Sequence, residues 1–154
     1  MRALPLYRCA LDGSDRVLGK EHPATLTSVN NLAEFMQALG DAAGALPLFR
    51  RALDSRERVL GKEHPDTLTS VNNLAGCLYA LGDAAGALPL FRRAAAGFER
   101  LLGPEHPSSR RVRGNCDRLE REVAAARRGP TPGDPIPRPE RPPDAAPWWR
   151  RWLR

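Results

Sequence analysis

The sequence predicts an all-α protein built as a solenoid of helix-turn-helix units. Two observations lead to this prediction. A segment of 42 residues recurs, because residues 3–44 align without gaps on residues 45–86 with 32 of 42 positions identical. Inside each copy, apolar residues return every three or four positions on either side of one Gly-Asp pair, which is the spacing of two amphipathic helices. No segment shows the alternating pattern of a β-strand.

Each copy contains a first-type helix before the Gly-Asp pair and a second-type helix after it. Gly40 suits the left-handed residue that ends a helix, and Asp41 suits the N-cap of the next helix. The pair recurs at residues 82–83. A Leu-Gly pair ends each second-type helix, and a His-Pro pair then begins the following first-type helix. The apolar positions in the copy at residues 24–65 are Leu26, Val29, Leu32, Ala33 and Met36, followed by Ala45, Leu48, Phe49, Ala52 and Leu53.

Two prolines lie inside the predicted second-type helices. Pro47 and Pro89 stand about two turns after the Gly-Asp pair, where proline removes a backbone hydrogen bond and costs about 3 kcal/mol in a regular helix. A slight kink is one interpretation. The alternative is that the second-type helix begins only at Pro47, since proline favours the first helical position.

This pattern predicts five segments. Residues 1–23 form an incomplete repeat with a second-type helix only. Residues 24–65 and 66–106 are complete repeats, residues 107–128 form a C-terminal capping helix, and residues 129–154 form a disordered, proline-rich tail.

The order of small and large residues resembles a known family. Ala33 in the first helix, Gly40 at the turn, and the series Ala45, Phe49 and Ala52 in the second helix resemble the tetratricopeptide repeat. The connection LGKEHPDT and the opening TLTSVNNLA resemble the longer repeats of kinesin light chain and related proteins. Kinesin light chain also has a heptad coiled coil, and no sustained heptads occur in this sequence. The resemblance therefore implies a binding module and leaves a motor role unsupported.

A stack of such units forms a concave surface lined by the first-type helices. In tetratricopeptide repeats this surface binds extended peptides, and the resemblance implies a protein or peptide partner. An alternative is a polar groove that serves solubility alone. The residues spaced to line the groove are Thr27, Asn30, Glu34, Gln37, Thr69, Asn72, Gly76 and Tyr79.

Asparagines are prominent on this face because each amide both donates and accepts hydrogen bonds. We expect Asn30 and Asn72 to form a ladder toward the peptide, and Asn31 and Asn73 to form contacts between repeats. Gly76 replaces the Glu of the preceding copy and is predicted to open a pocket beside Tyr79.

The array begins in mid-repeat, because the helix at residues 3–18 has no first-type partner before it. Leu4, Tyr7, Ala10 and Leu11 are therefore expected to be half covered. A truncated or abbreviated array, a frayed start and coverage by a second copy all explain this pattern. The last of these predicts self-association through the N-terminal helix.

The capping helix is predicted from one apolar stripe. Cys116 and Asp117 replace Leu74 and Ala75 of the preceding copy, so less of this helix can be buried. Seven arginines stand against three acidic residues, which suits a solvated cap and, alternatively, a binding patch. The stripe consists of Val112, Cys116, Leu119, Val123 and Ala126.

The tail contains eight prolines between residues 129 and 147 and ends in WWRRWLR. Trp148, Trp149 and Trp152 alternate with arginines, a pattern that suits a membrane interface, nucleic acid, or a protein groove, including the protein's own. A terminus without function is the alternative. A binder of nucleic acid or anionic membrane, acting through the Arg-rich cap and tail, is the second functional hypothesis, and a fragment of a longer repeat protein is another.

Composition and motifs exclude several classes. The formal charge of +6 belongs to the last third, because residues 107–154 hold 12 basic and 6 acidic residues. Three cysteines without a close pair disfavour a disulfide framework. His22, His64 and His106 recur at the repeat period, too far apart to share a metal, so they are expected to order the loops. No catalytic motif, cofactor motif, signal peptide or membrane span is present, and a cytoplasmic, non-enzymatic protein without metal or cofactor is expected.

Overall fold

The computed structural model of the chain describes residues 3–128, which form six α-helices and contain no strand. The all-α solenoid prediction is confirmed for this range. The predicted tail at residues 129–154, with its three tryptophans, lies outside the described residues. The helices are α1 (Ala3–Val17), α2 (Pro23–Ala38), α3 (Ala42–Leu60), α4 (Pro65–Ala80), α5 (Ala84–Leu102) and α6 (Pro107–Arg128).

Each helix packs on its neighbours in the chain, and α2 also contacts α4. The first-type helices are α2, α4 and α6, and the second-type helices are α1, α3 and α5. Contacts between neighbours in the chain are the mark of a repeat solenoid. The contact between α2 and α4 places first-type helices side by side, and this arrangement positions the candidate site.

The turns between paired helices follow the predicted Gly-Asp chemistry. Gly40 and Gly82 have φ angles of +88° and +83°, a region that L-residues with side chains rarely adopt. Asp41 caps α3 by accepting a hydrogen bond from the Gly44 N–H at 2.8 Å. The equivalent Asp83 caps α5 in the same way.

The His-Pro connections also follow a local rule. The His22 Nδ1 accepts a hydrogen bond from the Ala24 N–H at 3.2 Å, and His64 and His106 repeat this contact. Each imidazole therefore caps the helix that follows it, which agrees with the loop-ordering role expected from sequence. Among residues 3–128, no group of three or more His, Cys, Asp or Glu side chains could hold a metal ion.

The prolines in the second-type helices do not mark helix starts. Helix α3 begins five residues before Pro47 and contains it, and α5 contains Pro89 in the same register. The alternative that the helix begins at Pro47 is therefore wrong. The Asp caps begin these helices upstream, so the proline falls inside a helix that tertiary packing already stabilises.

Small residues allow the helices to approach closely. Ala33, Ala45, Ala52 and Ala75 have no exposed surface, and Phe49 is buried beside them. Small side chains facing large ones fill the space between the helix axes at the density of a protein interior. The buried apolar residues form a larger cluster that extends from Leu11 to Val112 and a smaller one beside α6, and Leu78 and Leu90 pack against both.

Ion pairs between partly exposed side chains link successive repeats, and they recur at the 42-residue period of the sequence. Each pair joins residues 36 or 37 positions apart, so it crosses from one repeat into the next. Such pairs on a surface contribute at most about 1 kcal/mol each. They fix the register between repeats more than they stabilise the fold. The pairs are Arg51 with Asp15, Arg93 with Glu57, Arg58 with Glu21, and Arg100 with Glu63.

Both ends of the described array are less covered than its middle. Among residues 5–17 of α1 only Leu11 is buried, whereas Tyr7 is 37% exposed and stacks on Phe35 with ring centroids 5.0 Å apart. In α6, the first residues of the predicted stripe are buried up to Leu119, but Ala126 is exposed. No helix among residues 3–128 is long and apolar enough to cross a membrane.

Candidate functional site

The first-type helices enclose one open cavity of about 370 Å³. Its walls come from α2, α4 and α6, and two phenylalanines of the second-type helices lie at its base. We call this cavity and its lining the central groove. The lining residues are Glu34, Gln37, Phe49, Asn72, Asn73, Gly76, Tyr79, Ala80, Phe91, Asn115 and Arg118.

The central groove brings together five of the eight residues predicted to line it. Glu34 and Gln37 come from α2, and Asn72, Gly76 and Tyr79 come from α4. They share the groove because residues three or four positions apart lie on one helix face, and because α2 and α4 are neighbours. Thr27, Asn30 and Thr69 are not in its lining.

The two threonines turn their hydroxyl groups back to their own helices. Thr27 Oγ1 donates to the Pro23 carbonyl at 3.0 Å, and Thr69 Oγ1 donates to the Pro65 carbonyl at 3.0 Å. A carbonyl four residues earlier is the common partner of a helical threonine. These contacts lie in the first turn of each helix, away from the groove.

Asn30 is only 6% exposed, and its amide is already paired. Its Nδ2 donates to Glu34 Oε1 at 2.7 Å, and its Oδ1 accepts from Asn73 Nδ2 at 3.1 Å. Asn73 also donates to Glu34 Oε1 at 2.6 Å. The Asn30 side chain therefore orients Glu34 and joins two repeats.

The asparagine ladder runs between repeats in a different register from the predicted one. Asn30 pairs with Asn73, and Asn115 Nδ2 donates to Asn72 Oδ1 at 3.4 Å. The predicted inter-repeat role of Asn73 is confirmed. Asn31 is exposed, because within residues 3–128 no first-type helix precedes α2 to supply its partner.

Tyr79 is held by two side chains of α6. Its hydroxyl donates to Glu122 Oε2 at 2.8 Å, and the Arg118 guanidinium carbon lies 5.6 Å from the ring centroid. The hydrogen bond to Glu122 is the main reason that the pKa of Tyr79 is raised, since ionising the phenol would remove the donated proton beside a carboxylate. The phenol ring is thus fixed at one edge of the groove.

Gly76 opens the groove as predicted. A Cβ atom built at Gly76 would have no heavy atom within 4 Å, so open space lies above this position. The equivalent residue of the preceding copy is Glu34, whose side chain fills the corresponding position. Below the opening, Phe49 and Phe91 provide an apolar base, and both are almost fully buried.

Four polar groove contacts were not predicted from the sequence: Asn73 and Asn115 as lining residues, and Arg118 and Glu122 around Tyr79. The repeat period offered a signal for Asn115, which stands 42 positions after Asn73. No such signal existed for Arg118 or Glu122, because the α6 sequence has diverged from the other copies.

Comparison with known proteins agrees with this architecture. The family model described as tetratricopeptide repeat matches residues 25–99. No curated protein matches the chain. The match covers most of the two complete repeats, and solved structures of kinesin light chain-like repeat proteins are similar to the chain, which confirms the resemblance inferred from sequence.

Three solved structures are similar to this chain over most of its length. A kinesin light chain candidate from Podosopora anserina, described by its nearly identical TPR-like repeats, has a TM-score of 0.76 and 27% identity, covering 82% of this chain and 60% of that one. A single-substitution variant of the same protein has a TM-score of 0.68 and 26% identity, with coverages of 82% and 59%. BtubC (BKLC) from P. vanneervenii has a TM-score of 0.62 and 25% identity, with coverages of 90% and 61%. This chain thus spans about 60% of the length of each.

Proposed function

We propose that this protein is a non-catalytic adaptor that holds an extended peptide segment of a partner protein in the central groove. The observation that carries the proposal is the cavity of about 370 Å³ between three first-type helices. Tetratricopeptide repeats generally mediate protein–protein interaction, and the matched residues 25–99 include most of the groove.

The chemistry of the groove suits a peptide. Asn72 and Asn115 are half-buried, and their amides face each other at the long distance of 3.4 Å, which leaves hydrogen-bonding capacity for a peptide backbone. The opening at Gly76 above the two phenylalanines suits one apolar side chain of the peptide. A mixture of apolar base and few polar groups is typical of binding sites in this range of volume.

The opening at Gly76 provides the test. Gly76→Leu places a large side chain in the groove, and its Cβ would meet no atom of another helix within 4 Å. Gly114→Leu is the matched control, since Gly114 is also helical and free of neighbours, yet lies outside the groove. Both changes give the same gain in helix propensity.

Peptides selected from a random display library on the full chain would be titrated against both variants by fluorescence anisotropy. We expect Gly76→Leu to weaken binding at least tenfold and Gly114→Leu to leave the dissociation constant within twofold of the parent. Equal affinities for the parent and Gly76→Leu would contradict binding in the central groove. Binding that weakens steeply as the salt concentration rises, and that is lost when arginines of α6 are replaced, would favour the electrostatic alternative instead.

A further inference from the structure

The two ends of the array fit each other. We propose that copies of this chain associate head to tail, with α1 of one copy packing beside α6 of the next as its second-type helix. Helices α3 and α5 begin at Ala42 and Ala84, so the next second-type helix in register would begin at residue 126, where α6 instead continues to Arg128. The sequence there contains eight prolines between residues 129 and 147 and does not repeat the helix pattern, whereas α1 has that pattern and is the first helix of the described array.

The α1 face lacks a contact that its equivalents possess. Leu6 is 70% exposed, although Leu48 and Leu90, at the same position of the next two copies, are half-buried against the core. Val17 is 82% exposed, but its equivalents in the next two copies are exposed as well. Inside the array the Leu6 position becomes half-buried, whereas the Val17 position stays exposed at 46% and 47%, so the contact that α1 lacks lies mainly on the side of Leu6.

The opposite end has a matching apolar groove between α5 and α6. Two adjoining cavities of about 540 and 510 Å³ lie there, and both are lined by Leu88 and Val123. Ala84 and Ala126 line the larger one. Inside the array, the position of Ala84 is taken by Ala42, which is buried under the following repeat. We call this surface the C-terminal groove.

Charge complementarity supports the same register. Arg58 pairs with Glu21 at 2.5 Å, and the same pair recurs one period later. The residue one period before Arg58 is Arg16 on α1, and the residue one period after Glu63 is Glu105, just before α6. Neither has an ion-pair partner among the described residues. Docking of α1 on the C-terminal groove would bring Arg16 of one copy to Glu105 of the other.

One residue opposes the contact and sets its strength. Asp117 stands where Ala33 and Ala75 are fully buried against the paired helix, and it is exposed in α6. A carboxylate at this point must be partly desolvated when α1 docks, which weakens association. The proposal therefore predicts reversible assembly. Because the two surfaces differ, the contact is heterologous and adds copies in a row unless the geometry closes a ring.

Sedimentation equilibrium of the full chain tests each surface with a matched pair of variants. Leu6→Arg should weaken association at least tenfold, whereas Val17→Arg on the same helix should not. Ala126→Arg should weaken it similarly, whereas Ala125→Arg should not, since Ala125 lines neither cavity. Asp117→Ala should strengthen association. All five positions are exposed, and circular dichroism checks that each variant is folded.

A mixing experiment distinguishes head-to-tail contact from pairing of two α1 helices. Leu6→Arg keeps an intact C-terminal groove, and Ala126→Arg keeps an intact α1. Each should be monomeric alone, and an equimolar mixture should form a one-to-one complex. Ala126→Arg that still associates alone, a mixture that stays monomeric, or a parent chain that is monomeric at all concentrations would each overturn the proposal.

A charge reversal tests the pair of Arg16 and Glu105. Arg16→Glu should weaken association, and Arg16→Glu with Glu105→Arg in one chain should restore it.

Discussion

One position of the repeat can hold chemically different residues in successive copies. Ser14, Arg56 and Phe98 occupy one position of the period. The Arg56 guanidinium is buried and donates to Ser70 Oγ at 2.7 Å and to the Asp66 carbonyl at 3.2 Å. Burial lowers the pKa of Arg56, because desolvation disfavours the charged form. One copy thus uses a buried charge where the next uses an aromatic ring.

Gly97 is required by a close helix contact. A Cβ at this position would lie 2.6 Å from both δ-carbons of Leu68. We expect Gly97→Ala to destabilise the protein by about 1 to 3 kcal/mol, the usual cost of overpacking. Gly114→Ala is the control, since its Cβ would meet open space, and it should stabilise by roughly 0.5 to 1 kcal/mol. Urea unfolding measures both, and equal effects would refute the packing explanation.

Three equivalent hydroxyl groups are buried without a hydrogen-bond partner among residues 3–128, at Thr25, Thr67 and Ser109. An unpaired buried hydroxyl costs about 1 to 3 kcal/mol. Thr67→Val keeps the shape and removes the hydroxyl, so it should raise the free energy of unfolding by about 1 kcal/mol. Thr69→Val removes the hydrogen bond to the Pro65 carbonyl, so it should lower the free energy of unfolding slightly. A loss of stability in Thr67→Val, measured by thermal unfolding, would show that its hydroxyl is satisfied.

At the level of the helix, the ends are set by local chemistry. Asp83 accepts from the Gly86 N–H at 2.8 Å, and Gly82 ends the preceding turn in the left-handed region. These contacts involve neighbours in sequence, so their positions can be read from a short segment of the chain. They explain why Pro89 is tolerated inside α5, which has already begun upstream of it.

Loss of one cap should therefore have a defined cost. Asp83→Ala leaves the first-turn N–H groups of α5 without their acceptor, and we expect about 1 kcal/mol of destabilisation. Asp54→Ala is the comparison, because Asp54 is exposed in the interior of α3 and alanine favours helix. Chemical denaturation of both variants would decide between these outcomes. An Asp83→Ala variant as stable as Asp54→Ala would mean that the cap contributes nothing.

The whole molecule is a series of neighbour contacts, so its stability depends on position along the array. Helices α3 and α4 are packed on both sides, whereas α1 contacts mainly α2. In such arrays each unit gains stability from its neighbours, and the ends open first.

Amide hydrogen exchange of the full chain tests this gradient. We expect the backbone of α1 to exchange fastest among residues 3–128 and the buried face of α3 and α4 to exchange slowest. If copies associate as proposed, α1 should gain protection as protein concentration rises, and Leu6→Arg should remove this gain. Uniform exchange along all six helices would indicate one cooperative unit rather than a graded array.

The number and type of the helices, and most of their ends, follow from the sequence alone. The 42-residue period, the Gly-Asp turns and the His-Pro starts act through contacts between residues a few positions apart. Their outcome can therefore be predicted from a short window of sequence. The five groove residues that were predicted, such as Tyr79 and Gln37, also follow from the face of a single helix.

Which side chains meet across helices depends instead on tertiary packing. Asn30 is buried because Asn73 and Glu34 converge on it, and Asn73 is 43 residues away. Helical periodicity places both asparagines near the same face, but it does not specify the offset between neighbouring repeats. That offset results from how small and large side chains of adjacent helices interlock. The Asn30 amide therefore lies in the interface between repeats, whereas the equivalent Asn72 lines the groove.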